Sequence, residues 1–132
     1  MPSVMPSRNY ADLIAWQRAM DLVEHVYTAT SVMPASERFG LTSQIRRAAV
    51  SIPANIAEGQ GRRTCGEFLN QLSAAHGSVR EVETHAILAG RLKFLDASEV
   101  DALLERAAEV GRLVTGLANS LKARTQNQER RT

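Results

Sequence analysis

Two pairs of arginines, Arg46–Arg47 and Arg62–Arg63, are the residues whose type and spacing most clearly suggest chemistry. The planar guanidinium group of arginine donates two parallel hydrogen bonds to a phosphate or a carboxylate. From Arg38 to Arg63 the sequence contains five arginines and a single acid, Glu58. This local positive charge predicts a surface that binds RNA or DNA.

A structural role for the same arginines is the alternative. They can form ion pairs with Glu58, with Glu67 or with the acidic segment 96–109, within one chain or between subunits. Arginine outnumbers lysine fourteen to two. This bias suits phosphate binding, but it also follows from GC-rich codon usage, so composition alone does not separate the two roles.

Neither the glycines nor the cysteine near the second arginine pair predict catalysis. Gly59 and Gly61 form a G-x-G, but the lysine and hydroxyl residue of a phosphate loop are missing, and no strand precedes it. We interpret it as the end of a helix and a turn. Cys65 falls in the first turn of a helix, where a thiolate is favoured, but the sequence identifies no base beside it.

Metal binding is not predicted either. Two acid–histidine pairs have i,i+4 spacing, Asp21 with His25 and Glu81 with His85. The Glu-x-x-His pattern of metal-binding helical bundles is absent from the sequence. We therefore predict a protein that is not an enzyme and has no cofactor.

Apolar residues that recur three and four positions apart predict four amphipathic helices. The predicted core-facing residues are, in order, Leu13, Trp16, Met20, Val23 and Tyr27; Leu41, Ile45, Ala48, Ile52 and Ile56; Phe68, Leu72, Ala75, Val79, Val82 and Ala86; and Val100, Leu103, Leu104, Ala107, Val110, Val114, Leu117 and Leu121. The sequence also has surplus apolar residues beyond those that one seam needs, such as Ile14, Val26, Leu69, Leu88 and Leu117. A second apolar seam of this kind predicts self-association.

The second helix keeps its apolar phase across Pro53, so we predict a kinked helix and not a linker. Proline removes one backbone hydrogen bond and displaces a carbonyl. Ser51 and Asn55 beside it can satisfy backbone groups. We predict that the helix ends near Gly59 with this glycine in the left-handed conformation.

The predicted fold is all-α, an antiparallel up-down-up-down four-helix bundle with a proline-kinked second helix. Residues 1–9 are predicted to be an irregular arm, residues 10–122 the bundle, and residues 123–132 a flexible tail without an apolar face. Capping-box patterns at residues 64–67 and 96–99 mark the starts of the third and fourth helices.

Composition fits a single domain that folds around aliphatic side chains. Apolar residues are 44% and aromatic residues 5% of the 132, and the formal net charge is +2. A single cysteine and the lack of a leader pattern predict a cytoplasmic protein. No apolar run approaches the ~20 residues of a membrane-spanning helix, so no membrane partner is expected.

The string Gln-x-x-Arg-Ala-x-x-Ser-Ile-Pro-x-Asn-Ile-Ala-Glu-Gly, residues 44–59, resembles the bacterial 23S rRNA intervening-sequence proteins. The resemblance extends over residues 10–120. It implies a four-helix bundle that assembles as a homopentamer. A similar protein, the accessory protein of diversity-generating retroelements, implies a basic surface that binds nucleic acid and a reverse transcriptase.

The resemblance also suggests separate roles for the residues around the proline and for the arginines. It implies that Ser51, Pro53, Asn55 and Glu58 shape the bundle and its subunit contacts. The arginine pairs are then the candidates for ligand contact. We predict a homo-oligomeric bundle that binds structured RNA or DNA through these arginines; the alternative is an oligomeric scaffold or protein-interaction module without a nucleic-acid role.

Overall fold

The computed structural model describes residues 9–10 and 13–131. Within these residues the chain forms four α-helices and no strand: α1 is Ile14–Thr30, α2 is Leu41–Gln60, α3 is Cys65–Arg91 and α4 is Ala97–Arg131. A 3-10 turn, Ala35–Glu37, lies between α1 and α2. The predicted all-α four-helix bundle is confirmed. The arm predicted at residues 1–9 lies outside the described residues, apart from Asn9.

Viewed along the bundle, the four helices lie at the corners of a square. Each helix contacts the next one along the chain, and α4 closes the bundle against α1. Among the described residues α1 does not contact α3, and α2 does not contact α4, so these are the diagonal pairs. Ser51 of α2 contacts Ser78 of α3. Glu58, which lies later in α2, contacts Gln71, which lies earlier in α3. Contacts in this order are those of two helices that run in opposite directions.

The core confirms the predicted faces of α2 and α3, where every predicted core residue is buried. In α4 the residues Leu103, Ala107, Val110, Val114 and Leu121 are buried, and Val100 and Leu117 pack at its edge. One phenylalanine, Phe68, is fully buried near the start of α3. Burial of these aliphatic faces provides the main driving force for folding.

The predicted core face of α1 is wrong. Apart from Leu13 at its start, the buried residues are Ala15, Ala19, Leu22, Val26, Ala29 and Thr30. Met20 and Tyr27 are exposed, and Trp16 and Val23 are only partly buried. Both sets have helical spacing, so periodicity cannot choose between them.

Pro53 lies inside α2 and is buried. The Ser51 hydroxyl donates to the carbonyl of Ala48 at 2.8 Å, and the Asn55 amide donates to the carbonyl of Ser51 at 2.8 Å. The two polar side chains therefore bond to backbone groups beside the proline, as the sequence suggested. The bend at Pro53 stays a prediction.

The end of α2 differs from the expectation for Gly59. The helix continues to Gln60 and its C-cap is Gly61, with φ −80°. None of the described glycines has a positive φ, so Gly59 does not adopt the left-handed conformation. A Cβ atom on Gly59 would lie 2.7 Å from Cδ1 of Phe68 and 2.8 Å from Cβ of Gln71. Glycine is needed there because α2 and α3 approach each other closely.

The C-terminal segment is also different from its prediction. Residues 123–131, expected to be a flexible tail, continue α4 as a helix. Leu121 is the last buried residue among the side chains of α4 whose burial is described, and beyond it Thr125 donates its hydroxyl to the carbonyl of Leu121 at 3.0 Å. The segment contains neither glycine nor proline, and its alanine, arginine, glutamine and glutamate residues favour helix, so the helix extends beyond its apolar face.

Candidate nucleic-acid interface

Arg46 joins α2 to the end of α1. Its Nε donates to the Thr30 hydroxyl at 2.9 Å, and its Nη2 lies 3.4 Å from the Tyr27 carbonyl. Its guanidinium carbon is 4.5 Å from the centre of the Tyr27 ring, which is a cation–π contact. A cation at the carboxyl end of α1 also complements the helix dipole. The guanidinium group of Arg46 is therefore already bonded within the bundle.

Arg62 is paired with an acid of its own chain. Its Nη2 lies 2.6 Å from Oε1 of Glu58, and the same oxygen accepts from the Gln71 amide at 3.2 Å. Glu58 thus connects the end of α2 to α3. The side chains of Arg62 and Glu58 are 42% and 54% exposed, so solvent screens the pair, and its contribution to stability is below about 1 kcal/mol.

Arg47 and Arg63 differ from the other two arginines. Both are exposed, and neither forms an ion pair or side-chain hydrogen bond with a described residue. Arg63 directly precedes Thr64, the N-cap of α3, whose hydroxyl accepts from the Glu67 amide at 3.1 Å. Of the four predicted arginines, Arg46 and Arg62 are therefore bonded within the chain, whereas Arg47 and Arg63 face solvent.

A polar stripe that the sequence reading did not recognise follows α2 along its side towards α3. We call it the α2 polar stripe; it consists of Gln44, Arg47, Ser51, Asn55, Glu58 and Arg62. These residues recur three and four apart, which places the first five on one side of α2; Arg62 continues the spacing two residues beyond the end of the helix. This spacing of polar residues is visible in the sequence, but apolar periodicity alone does not reveal it.

The α2 polar stripe borders a shallow groove between α2 and α3. The groove is lined by Gln44, Arg47, Ala48, Ser51, Ser78, Glu81 and His85. The hydroxyls of Ser51 and Ser78 are 2.5 Å apart. Because Ser51 donates its proton to the Ala48 carbonyl, Ser78 is the donor between the two hydroxyls. The groove offers hydrogen-bond donors and one exposed guanidinium group, Arg47, beside the Glu81 carboxylate.

The other candidate chemistries do not assemble into a site. Within residues 9–10 and 13–131 no three histidine, cysteine or acidic side chains lie close enough to hold a metal ion. Cys65 is buried, 5% exposed. None of the described helices is long and apolar enough to cross a membrane.

One flank of the bundle carries apolar side chains that are partly or largely exposed to solvent. We call it the α1–α2 apolar face; it consists of Trp16, Met20, Val23 and Tyr27 of α1 with Val50 and Ala57 of α2. These residues lie on the sides of α1 and α2 that meet at Arg46 and Tyr27. Met20, Tyr27 and Val50 are 37%, 44% and 44% exposed. The surplus apolar residues expected to form a second seam lie elsewhere: Val26 is buried, Leu69 and Leu117 pack against the core, and Ile14 and Leu88 are exposed.

Comparison with known proteins identifies a matching family and a solved structure with a similar fold. A family model described as "23S rRNA-intervening sequence protein" matches residues 11–116. The fold is similar to a crystal structure of a protein with unknown function from the S23 ribosomal protein family of Bacteroides thetaiotaomicron VPI-5482. That similarity has a TM-score of 0.74 at 19% identity and covers 80% of this chain and 98% of the other. No curated protein matches the sequence.

Proposed function

This chain belongs to the 23S rRNA-intervening sequence protein family, and on that premise we propose that it is a non-enzymatic, self-associating helical bundle that binds structured RNA or DNA through Arg47 and Arg63. The family description names no reaction, and the structural relative has unknown function. The proposed activity is therefore binding.

The observation that carries the proposal is the different state of the four arginines. Arg46 is bonded to Thr30, and Arg62 is paired with Glu58. Arg47 and Arg63 are exposed and without an ion pair among the described residues. Their guanidinium groups can bind phosphates without first giving up another partner. The α2 polar stripe beside Arg47 supplies further hydrogen-bond donors, such as the amide of Gln44.

Self-association supports this function by multiplying a small number of contacts. Two arginines per chain bind a polyanion weakly, but several copies of the same surface act together through avidity. The α1–α2 apolar face gives a reason for such assembly, because exposed apolar surface is stabilised by burial. The resemblance to the family implies five copies, a mass close to five times 14.4 kDa.

Removal of the two exposed arginines tests the binding proposal. We expect Arg47→Ala/Arg63→Ala to weaken binding to an RNA hairpin and to a DNA duplex, measured by fluorescence anisotropy. The magnitude of the slope of log K against log[salt] should decrease by about 2 per bound chain, because two phosphate contacts are lost. The binding of the wild-type protein should decrease steeply with salt.

Arg18→Ala/Arg106→Ala is the matched control, since it removes the same charge. Arg18 forms an ion pair with Asp21 at 3.3 Å, and both arginines lie on α1 and α4, away from the α2 polar stripe. We expect this control to bind almost as well as the wild type. An equal loss in both double variants would contradict a specific role for Arg47 and Arg63 and would indicate a response to net charge alone.

A second candidate function is a protein-interaction module without a nucleic-acid role. It is favoured by Phe39, which is 86% exposed in the connection from α1 to α2, with the Arg38 guanidinium 5.4 Å from its ring centre. Exposed aromatic and arginine side chains are typical anchors of protein interfaces. Absence of binding to either nucleic acid at low salt would favour this function, with a reverse transcriptase or another protein as the partner.

A further inference from the structure

The α1–α2 apolar face lies opposite a groove on the same molecule. Because α1 contacts α2 and α4, and α3 contacts α2 and α4, the α3–α4 side is across the bundle from the α1–α2 side. The α3–α4 groove has a volume of about 460 Å³. It is lined by His76, Val79, Arg80, Glu83, Ala107, Ala108, Gly111, Arg112, Thr115, Gly116 and Asn119.

The groove is open because several of its α4 residues are small. A Cβ atom on Gly116 would meet no atom within 4 Å, and one on Gly111 would only touch Val79, at 3.6 Å. Ala107 and Ala108 supply apolar surface. The opposite face projects larger side chains, such as Met20 and Tyr27. The two sides of one chain are thus unlike in shape, one projecting and one recessed.

The charges beside the two surfaces are also opposite. Glu24 follows Met20 by one helical turn and precedes Tyr27 by three residues, so it borders the α1–α2 apolar face. Arg112 lies in the α3–α4 groove. Both residues are exposed, and neither forms an ion pair with a described residue. A second copy can bring the two charges together.

We propose that the α1–α2 apolar face of one copy docks in the α3–α4 groove of a second copy, with Glu24 facing Arg112 of that copy. This proposal rests on the self-association in the proposed function and specifies which surfaces meet. Two different surfaces form the contact, so a pair of copies retains one free groove and one free apolar face, and further copies can be added at both ends. Such a contact produces a closed ring if the rotation between copies closes, and an open chain if it does not.

The arrangement leaves the α2–α3 side uncovered. That side carries Arg47 and the rest of the α2 polar stripe. Successive copies would then present the stripe repeatedly along one surface of the assembly, as binding by avidity requires.

The test uses two variants, each of which disables one surface. Met20→Arg replaces an apolar side chain of the α1–α2 apolar face by a charged one, and Gly116→Arg fills the groove. Light scattering after size-exclusion chromatography should give a monomer of 14.4 kDa for each variant alone. An equimolar mixture should give a 1:1 dimer of twice that mass, because Gly116→Arg retains an intact apolar face and Met20→Arg retains an intact groove.

Matched controls separate the contact from the effects of added charge. Ile14→Arg adds the same charge to α1 at a residue that is 53% exposed and lies outside the α1–α2 apolar face. Gly77→Arg repeats the glycine change on α3 at an exposed position outside the groove, where a Cβ would meet no atom within 4 Å. Both controls should keep the mass of the wild-type assembly, and helical circular dichroism should be the same for all variants.

Other outcomes would overturn the proposal. A Gly116→Arg protein of wild-type mass would exclude the groove. Two monomeric variants that do not combine would exclude a contact between unlike surfaces. A monomeric wild type would overturn self-association as a whole; nucleic-acid binding that remained in that monomer would show that the arginine part of the proposed function stands without it.

A charge exchange tests the Glu24–Arg112 pair. Glu24→Arg and Arg112→Glu alone should each shift the assembly towards smaller species at 50 mM salt, because each places like charges across the contact. The double variant Glu24→Arg/Arg112→Glu should restore the wild-type mass, since every contact then contains one exchanged pair. Failure of the double variant to recover would exclude this pairing.

Discussion

At the scale of single residues, the same residue type has different roles at neighbouring positions. Arg46 and Arg47 are adjacent in sequence, but a helix turns by about 100° between successive residues, so they face different sides of α2. Arg46 points to α1 and bonds to Thr30. Arg47 lies at the groove between α2 and α3. The two substitutions should therefore affect different properties of the protein.

Gly59 and Gly77 differ in the same way. A Cβ on Gly59 would overlap Phe68 and Gln71, whereas one on Gly77 would meet no atom within 4 Å. We expect Gly59→Ala to lower the free energy of unfolding by about 1–2 kcal/mol, because overpacking outweighs the gain in helix propensity. Gly77→Ala should raise it by about 0.5–1 kcal/mol.

Urea unfolding followed by circular dichroism measures both glycine variants. The midpoint concentrations should move in opposite directions, with unchanged m-values. A stabilised Gly59→Ala protein would show that the contact between α2 and α3 can relax at this position.

At the scale of helices, α1 is attached to α2 by its apolar contacts and by Arg46. The Arg46 side chain reaches from the second turn of α2 to the last turn of α1, where it contacts Tyr27 and Thr30. Thr30 is buried, and its hydroxyl also donates to the Val26 carbonyl at 2.7 Å. Its hydroxyl oxygen is therefore available to accept from Arg46.

Arg46→Ala should lower the free energy of unfolding by about 1–2 kcal/mol, because a charged hydrogen bond and a cation–π contact are lost. Arg46→Lys should not restore it fully, since an ammonium group cannot stack on Tyr27 and bond to Thr30 as the guanidinium does. Thermal unfolding measures the loss. Arg47→Ala is the control and should stay within about 0.5 kcal/mol of the wild type.

Arg46→Ala should lower stability more than Arg47→Ala, and the effects of the two substitutions on nucleic-acid binding should have the opposite order. We expect Arg47→Ala to weaken binding and Arg46→Ala to leave it near the wild-type value at temperatures where both are folded. Equal loss of binding in the two variants would contradict the assignment of Arg46 to the bundle.

At the scale of the whole molecule, two kinds of interaction are expected at different surfaces. Self-association buries apolar surface, and high salt does not weaken apolar burial. Binding to RNA or DNA depends on phosphate contacts and falls steeply with salt.

Salt should therefore separate the two processes. From 50 mM to 1 M sodium chloride, we expect the mass of the protein assembly to stay constant while a bound RNA hairpin is released. Size-exclusion chromatography with light scattering and absorbance at two wavelengths measures both. Dissociation of the protein assembly at 1 M salt would instead indicate that ion pairs hold the subunits, as in the structural alternative for the arginines.

Much of the fold was predictable because the signals are local. The apolar positions of α2 and α3 have a single helical face, and Thr64 and Glu67 mark the start of α3. The prediction of a flexible tail was wrong because the segment, although it lacks an apolar face, consists largely of residues that favour helix. The α2 polar stripe was in the sequence at regular spacing, but its relation to Ser78 and His85 depends on α3.

The sequence by itself determined the number of helices, the core faces of α2, α3 and most of α4, and the position of the arginine pairs. Helical periodicity, capping patterns and charge all act between residues close in the chain. Only the tertiary structure decided that alanines of α1 face the core, that Gly59 permits a close approach, and that Arg46 and Arg62 are already occupied. These properties depend on the rotation of each helix about its axis and on distances to residues far away in sequence, which local spacing does not specify.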